Sequence, residues 1–149
     1  MSAAAVIRPV GADERAAWEP LWTGYLEFYK TTVPKQIYDT TWARLQDETE
    51  PMYLFGAYVD GRLLGIVHFL YHRSCWTIAD YCYLQDLFVA EDARKLGLGR
   101  ALIEAVYAEA RKAGASRVYW LTHETNAAAR SLYDKLADRS GFIQYRKLF

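Results

Sequence analysis

The sequence predicts a mixed α/β fold, and three observations carry the prediction. Apolar residues recur at helical spacing through Trp18, Leu21, Trp22, Tyr25, Leu26 and Tyr29. Two strand-like runs flank Asp60-Gly61, a dipeptide that favours a tight hairpin turn. An apolar strand ending near Val89 then leads through a basic, glycine-bearing turn into an amphipathic helix. A chain of 149 residues suits one domain over 1–149, and at that length roughly two thirds of the unfolded surface is buried on folding.

Taken in order, Val6 to Val10 reads as a short strand stopped by Gly11, and the first helix follows. Val33-Pro34 interrupts the helical pattern before a second helix over Ile37 to Asp47, whose apolar side carries Ile37, Tyr38, Trp42 and Leu45. Met52 to Val59 and Arg62 to Tyr71 form the hairpin, and a third strand is expected from about Trp76 to Val89. A helix from Gly97 to Lys112 ends at Gly114, with Arg111 and Lys112 placed to suit the negative end of its dipole. Arg117 to Thr122 reads as a short strand, Thr125 or Asn126 as the cap of a helix to Ala137, and Phe142 to Leu148 as a final strand.

Eighteen basic and eighteen acidic residues cancel, so there is no global field to recruit nucleic acid or an anionic membrane. No segment nears the roughly 18 apolar residues of a membrane span, and Met1 to Pro9 does not resemble a leader peptide. Cys75 and Cys82 match neither a zinc pair nor a redox pair and read as reduced, partly buried thiols, which favours the cytoplasm. His68 and His72 share a strand face, yet no third ligand lies near them in sequence, and no metal site is expected.

The glycine turn is the chemically loaded segment. Backbone N–H groups converge there on the positive end of a helix dipole, which suits phosphate. A nucleoside-triphosphate loop would need Lys-Ser/Thr after its last glycine, but Gly99 is followed by Arg100-Ala101. A dinucleotide fingerprint fails as well, with Leu102 at its third glycine and Arg117 where its ribose-binding acid belongs. What remains, Arg94-x-x-Gly97-x-Gly99 between strand and helix, resembles the pyrophosphate loop of the GNAT superfamily of acyl-CoA N-acyltransferases. The element order and the segment Asn126 to Tyr133 are similar to that family too. Leu84 to Val89 and Val118-Tyr119-Trp120 look most like its branch acting on polyamines, histone tails and small amines.

The resemblance implies a GNAT fold, an α/β (α+β) architecture with a mixed, mostly antiparallel central sheet flanked by about four helices. It implies acetyl-CoA as cofactor and a primary amine as acceptor, small molecule or peptide. Pyrophosphate would lie on the N–H groups of Leu96, Gly97, Leu98 and Gly99, with Arg94, Lys95 and Arg100 supplying charge. Asn126 would contact the pantetheine arm, a backbone N–H from the splayed segment Leu87, Phe88 and Val89 would meet the thioester carbonyl, and Tyr133 would protonate the departing thiolate. The loop between the first two helices shapes the acceptor pocket in that family, so Trp22, Tyr25, Glu27 and Tyr29, with Tyr83 from the third meander strand, are acceptor candidates. Aromatic faces and acids suit a cationic amine.

An alkylamine with a pKa near 10.4 arrives protonated, so a base is needed. Asp86 and Glu124 are candidates. Gln85, which cannot take a proton, stands where polyamine-type relatives carry Glu. Regular alternation sets Tyr83, Gln85 and Leu87 on one face and Leu84, Asp86 and Phe88 on the other unless a bulge intervenes. That leaves a water chain held by Gln85 and Tyr83 as first choice, ahead of Glu124 or use of the small neutral fraction of amine. Gln85 also keeps open a catalytically inactive acyl-CoA-binding module. An exposed final strand over Phe142 to Phe149 would pair across a homodimer.

Overall fold

Turn chemistry and alternation build a five-stranded sheet in the order β1-β2-β3-β4-β5. The computed structural model describes residues 4–149, so Met1, Ser2 and Ala3 of the N-terminal reading lie outside the described residues. The chain runs β1 (Val6–Pro9), α1 (Arg15–Phe28), α2 (Lys35–Gln46), β2 (Met52–Val59), β3 (Arg62–His72) and β4 (Tyr81–Val89). A 3-10 segment (Glu91–Leu96), α3 (Leu98–Lys112), β5 (Arg117–Tyr119) and α4 (Ala127–Leu136) complete it. The first four strands pair antiparallel, and β4 with β5 parallel.

Two apolar layers clamp the sheet. On one face Trp18, Leu21, Trp22 and Leu26 of α1 pack with Trp42 and Leu45 of α2 against Leu54 and Ile66. On the other, Leu98, Leu102, Ile103 and Val106 of α3 cover Val67, Phe69, Cys82 and Leu84, with Leu132, Tyr133 and Leu136 of α4 beside them. Each fully buried large side chain contributes about 1.5–3 kcal/mol, so both faces hold the strands flat enough to aim what they carry. Where α1 crosses β4 the fit needs a glycine: a Cβ on Gly24 would sit 2.8 Å from the Phe88 ring.

Four expectations are corrected. The third meander strand begins at Tyr81, not Trp76, because local bonds from Thr77 Oγ1 to the Ala79 carbonyl (2.6 Å) and from the Trp76 N–H to Ser74 Oγ (3.1 Å) compete with the ladder. The fifth strand stops at Tyr119 rather than Thr122. Phe142 to Leu148 forms no strand: residues 137–149 are exposed and irregular, since β5, three residues long, is paired only to β4 and offers no completed ladder within the chain. Cys75 is exposed while Cys82 is buried, and burial pushes the Cys82 thiol up to about 12.

Candidate active site

The site is made by an irregularity in β4. His68 pairs with Asp86 but the next β3 residue, Phe69, pairs with Leu84, so Gln85 has no partner and bulges. Cys82 and Leu84 face α3, and after the bulge Leu87 and Val89 do so again, while Phe88 joins the α1 layer. The bulge thus brings Asp86 to the α1 face. The bulge that the alternation reading left open is therefore present: Asp86 shares the face of Tyr83, and Gln85 is exposed at the bulge.

Asp86 is 14% exposed and is held from behind. His68 Nδ1 lies 3.0 Å from Asp86 Oδ2, and His68 Nε2 accepts a 3.0 Å hydrogen bond from the Trp18 indole N–H. An indole can only donate, so Nε2 carries a lone pair and the proton of the neutral ring sits on Nδ1, where it donates to Asp86. Trp18 is fully buried, which fixes the tautomer through a bond that water does not contest. From the front, burial and then the Asp86 charge push the Tyr25 phenol well above its ordinary range. Burial first and Asp86 second raise Tyr29 as well, and Tyr83 is raised by burial, Asp86 and Tyr119. Trp22, Tyr25 and Tyr29 form a continuous aromatic run with ring centroids 5.1 and 5.0 Å apart.

Of the expected acceptor residues, Trp22, Tyr25, Tyr29 and Tyr83 are therefore brought together around Asp86. Glu27 is exposed on α1 and is not among the groups that act on Tyr25, Tyr29 or Tyr83. Glu124 is exposed too, and only its backbone carbonyl is engaged, accepting from Arg130 Nη1 at 2.6 Å; the aromatic cluster forms around Asp86 instead. His68 and Trp18 were not singled out as site residues. A histidine two strands' length from an acid in sequence becomes its neighbour only through the β3–β4 register.

The far edge of β4 opens next to Asp86. β5 pairs with it only from Tyr81 to Tyr83. The Ala90 N–H bonds the Leu64 carbonyl at 2.8 Å, so by alternation the N–H groups of Val89 and Leu87 face away from β3, into that gap. The Val89 carbonyl there accepts from Arg94 Nε at 3.3 Å. Below the gap, Gly97 takes the left-handed conformation (φ 74°) as the N-cap of α3, with no side-chain cap. The first intrahelical bond runs from the Ala101 N–H to the Gly97 carbonyl, leaving the N–H groups of Leu98, Gly99 and Arg100 unpaired within the helix. A Cβ on Gly97 would meet nothing within 4 Å, so the cradle is open. Leu96 and Lys95 are exposed beside it, and Arg100 pairs with Glu104 at 2.9 Å.

Across the gap stands α4. Tyr133 packs edge-on to Trp120 with centroids 5.3 Å apart, and burial, then Tyr29, raises its phenol. Tyr29 thus feels Asp86, and Tyr133 in turn feels Tyr29. Asn126 is the N-cap of α4, as expected, and its carbonyl accepts from the Arg130 N–H at 3.0 Å, but its side chain makes no capping bond: its Nδ2 donates to Thr122 Oγ1 at 3.3 Å. A second cleft, about 410 Å³, lies between Phe28, Tyr29 and Lys30 on one side and His123, Thr125 and Asn126 on the other. No cluster of three metal-ligating side chains occurs among the described residues.

A sheet that parts between β4 and β5, above a helix end with no side-chain cap and with room for an anion, is the arrangement that the resemblance to acyl-CoA N-acyltransferases implies. The sequence makes this specific: residues 17–137 match the acetyltransferase (GNAT) family, and the chain is a member of it and an acetyl-transferring enzyme. It is 36% identical over 146 residues to the D-amino-acid N-acetyltransferase HPA3 of Saccharomyces cerevisiae, covering 95% of this chain and 89% of that one. It is 27% identical over 120 residues to the L-ornithine N5-acetyltransferase NATA1 of Arabidopsis thaliana, covering 80% of this chain and 48%, about half, of that protein. The fold is that of the aminoglycoside N-acetyltransferase AAC(6')-Iy crystallised with CoA, with a TM-score of 0.81 at 18% identity over 99% of this chain and 97% of that one.

Proposed function

We propose that this enzyme acetylates a primary amine by direct attack on acetyl-CoA, both substrates being bound at once and no acyl-enzyme forming. The observation that supports the reading most is the ionisable pair across the open β4 edge: Asp86 on the α1 face, oriented by His68 and Trp18, and Tyr133 on the α4 side. Acetyl-CoA supplies the thioester whose C–S bond breaks as the N–C bond forms. The residues fit it: the unpaired N–H groups at the start of α3 and the open Gly97 cradle suit a pyrophosphate, with Arg94, Lys95 and Arg100 around it. Asn126 stands near the gap for the extended arm.

In this reading Asp86 takes the proton of the attacking ammonium, directly or through one water, and replaces the Gln85-held water chain as base. The N–H groups of Leu87 and Val89 meet the carbonyl oxygen as it gains charge, fixed in advance by the β3–β4 ladder. Tyr133 gives its proton to the leaving sulfur; a phenol raised by burial holds that proton at neutral pH. The case for an inactive module drew on Gln85 alone, and the position of Asp86 removes its motive. The names of the relatives support a small amino compound as acceptor, D-amino acids for one and the ornithine side chain for the other. We take the chain as one domain, cytoplasmic and without a nucleic-acid partner, in keeping with its balanced charge. No helix among the described residues is long and apolar enough to cross a membrane. Homodimerisation is proposed through 138–149, where Phe142, Ile143, Tyr145 and Leu148 are all exposed.

The test is acetyl-CoA-dependent thiol release over a panel of amines, beside Asp86→Asn and Tyr133→Phe, with exposed Cys75 subtracted as a constant background. General acid and base roles correspond to losses of about 10²–10⁴-fold. Release that survives both substitutions would defeat the assignment of roles, and no release with any amine would defeat the activity.

A further inference from the structure

A cavity of about 220 Å³ adjoins Asp86 on the α2 side. An apolar cavity of roughly 150 Å³ already holds a benzene ring, so this one has room for a branched alkyl or aromatic group. Trp22, Ile37, Leu45, Met52 and Leu70 supply its walls, and Asp86 is the one charged residue lining it. The other polar groups are Thr41, Gln85 and His68, and His68 is already committed to Trp18 and Asp86.

An ammonium that meets Asp86 therefore has the apolar side chains of Ile37, Leu45, Met52 and Leu70 beside it, with only the neutral groups of Thr41 and Gln85 among them. A second ammonium on the same substrate would leave water for that wall with no carboxylate to receive it, which is strongly unfavourable. The nearest acid on α2 is engaged elsewhere: Asp39 bridges Arg15 at 2.6 Å and Lys35 at 2.9 Å. We infer that the acceptor is a monoamine bearing an apolar or aromatic substituent, which this cavity receives, rather than a diamine or polyamine. The inference rests on the amine acetylation proposed above.

Acetylation rates with phenethylamine, leucine and phenylalanine, each compared with ethylamine, alanine, ornithine and spermidine, test it. Filling a hydrophobic pocket is worth about 10- to 200-fold per methylene in kcat/KM, so phenylalanine exceeds alanine and ornithine by at least about 10-fold. Ile37, 43% exposed on the rim, tolerates change. Ile37→Trp lowers the ratio of phenylalanine to alanine towards one. Ile37→Glu supplies the missing anion and raises ornithine relative to phenylalanine by about tenfold, the scale of one charge-assisted contact. Wild-type preference for ornithine or spermidine, or ratios that neither substitution moves, overturns the inference while leaving amine acetylation standing. Silence with every amine overturns both.

Discussion

Replacing His68 with leucine removes two hydrogen bonds at once, the donor that Asp86 receives and the acceptor that Trp18 uses, each 3.0 Å long. The Trp18 loss is not repaired by water, because Trp18 is 0% exposed. A buried donor without an acceptor costs about 1–3 kcal/mol, and a hydrogen bond to a charged group contributes about 1.5–3 kcal/mol. Together they destabilise the fold by up to about 2.5–6 kcal/mol, a melting-temperature drop of about 5–24 °C at this chain length. Assayed well below that temperature, kcat falls about 10- to 100-fold, the loss of one charge-assisted bond to the proposed base. The KM for acetyl-CoA stays put, since the start of α3 makes no contact with His68. His68→Asn, which can still donate towards Asp86, recovers part of kcat. The expected nitrogen-15 spectrum of the wild-type His68 ring has Nδ1 protonated and Nε2 bare. A kcat within threefold of wild type for His68→Leu, or an Nε2-protonated ring, would refute the orienting role.

Three further expectations follow from other parts of the fold. Gly97→Glu puts a side chain and a like charge at the open cradle and strains a residue at φ 74°; CoA then no longer raises the melting temperature, and unchanged protection would sink the anion site. Glu14 is held down to about 2, first by Arg8, then by the Gly11 N–H and Tyr58. A carboxylate depressed in the folded state stabilises above its unfolded pKa, so the gap in melting temperature between wild type and Glu14→Gln is present at pH 6 and closes between about pH 4.5 and 2; a pH-independent gap contradicts it. On the proposed homodimer contact, wild type sediments as a dimer and the chain lacking residues 138–149 as a monomer with its sheet intact; a monomeric wild type, or a dimer that survives the truncation, rules that contact out.

The elements themselves were readable because their signals are local. Helical spacing over Trp18 to Tyr29, the Asp60-Gly61 turn and the glycine-led helix at Gly97 each depend on neighbours within a few residues. So did the anion loop, which needs only a backbone conformation and a helix end. Strand ends are less readable: local bonds at Ser74 and Thr77 keep Trp76 out of the ladder, and Phe142 joins a sheet only if an edge is supplied from elsewhere. The sequence by itself determined the α/β class and the family, and it located the glycine turn that opens α3. Tertiary structure alone decided that Asp86, and not Gln85 or Glu124, meets the α1 aromatic cluster, and that His68 and Trp18 orient it. The reason is one unpaired residue: a single bulge at Gln85 reverses which face every later side chain takes, and its position is set by the register with β3, which no local pattern in β4 encodes.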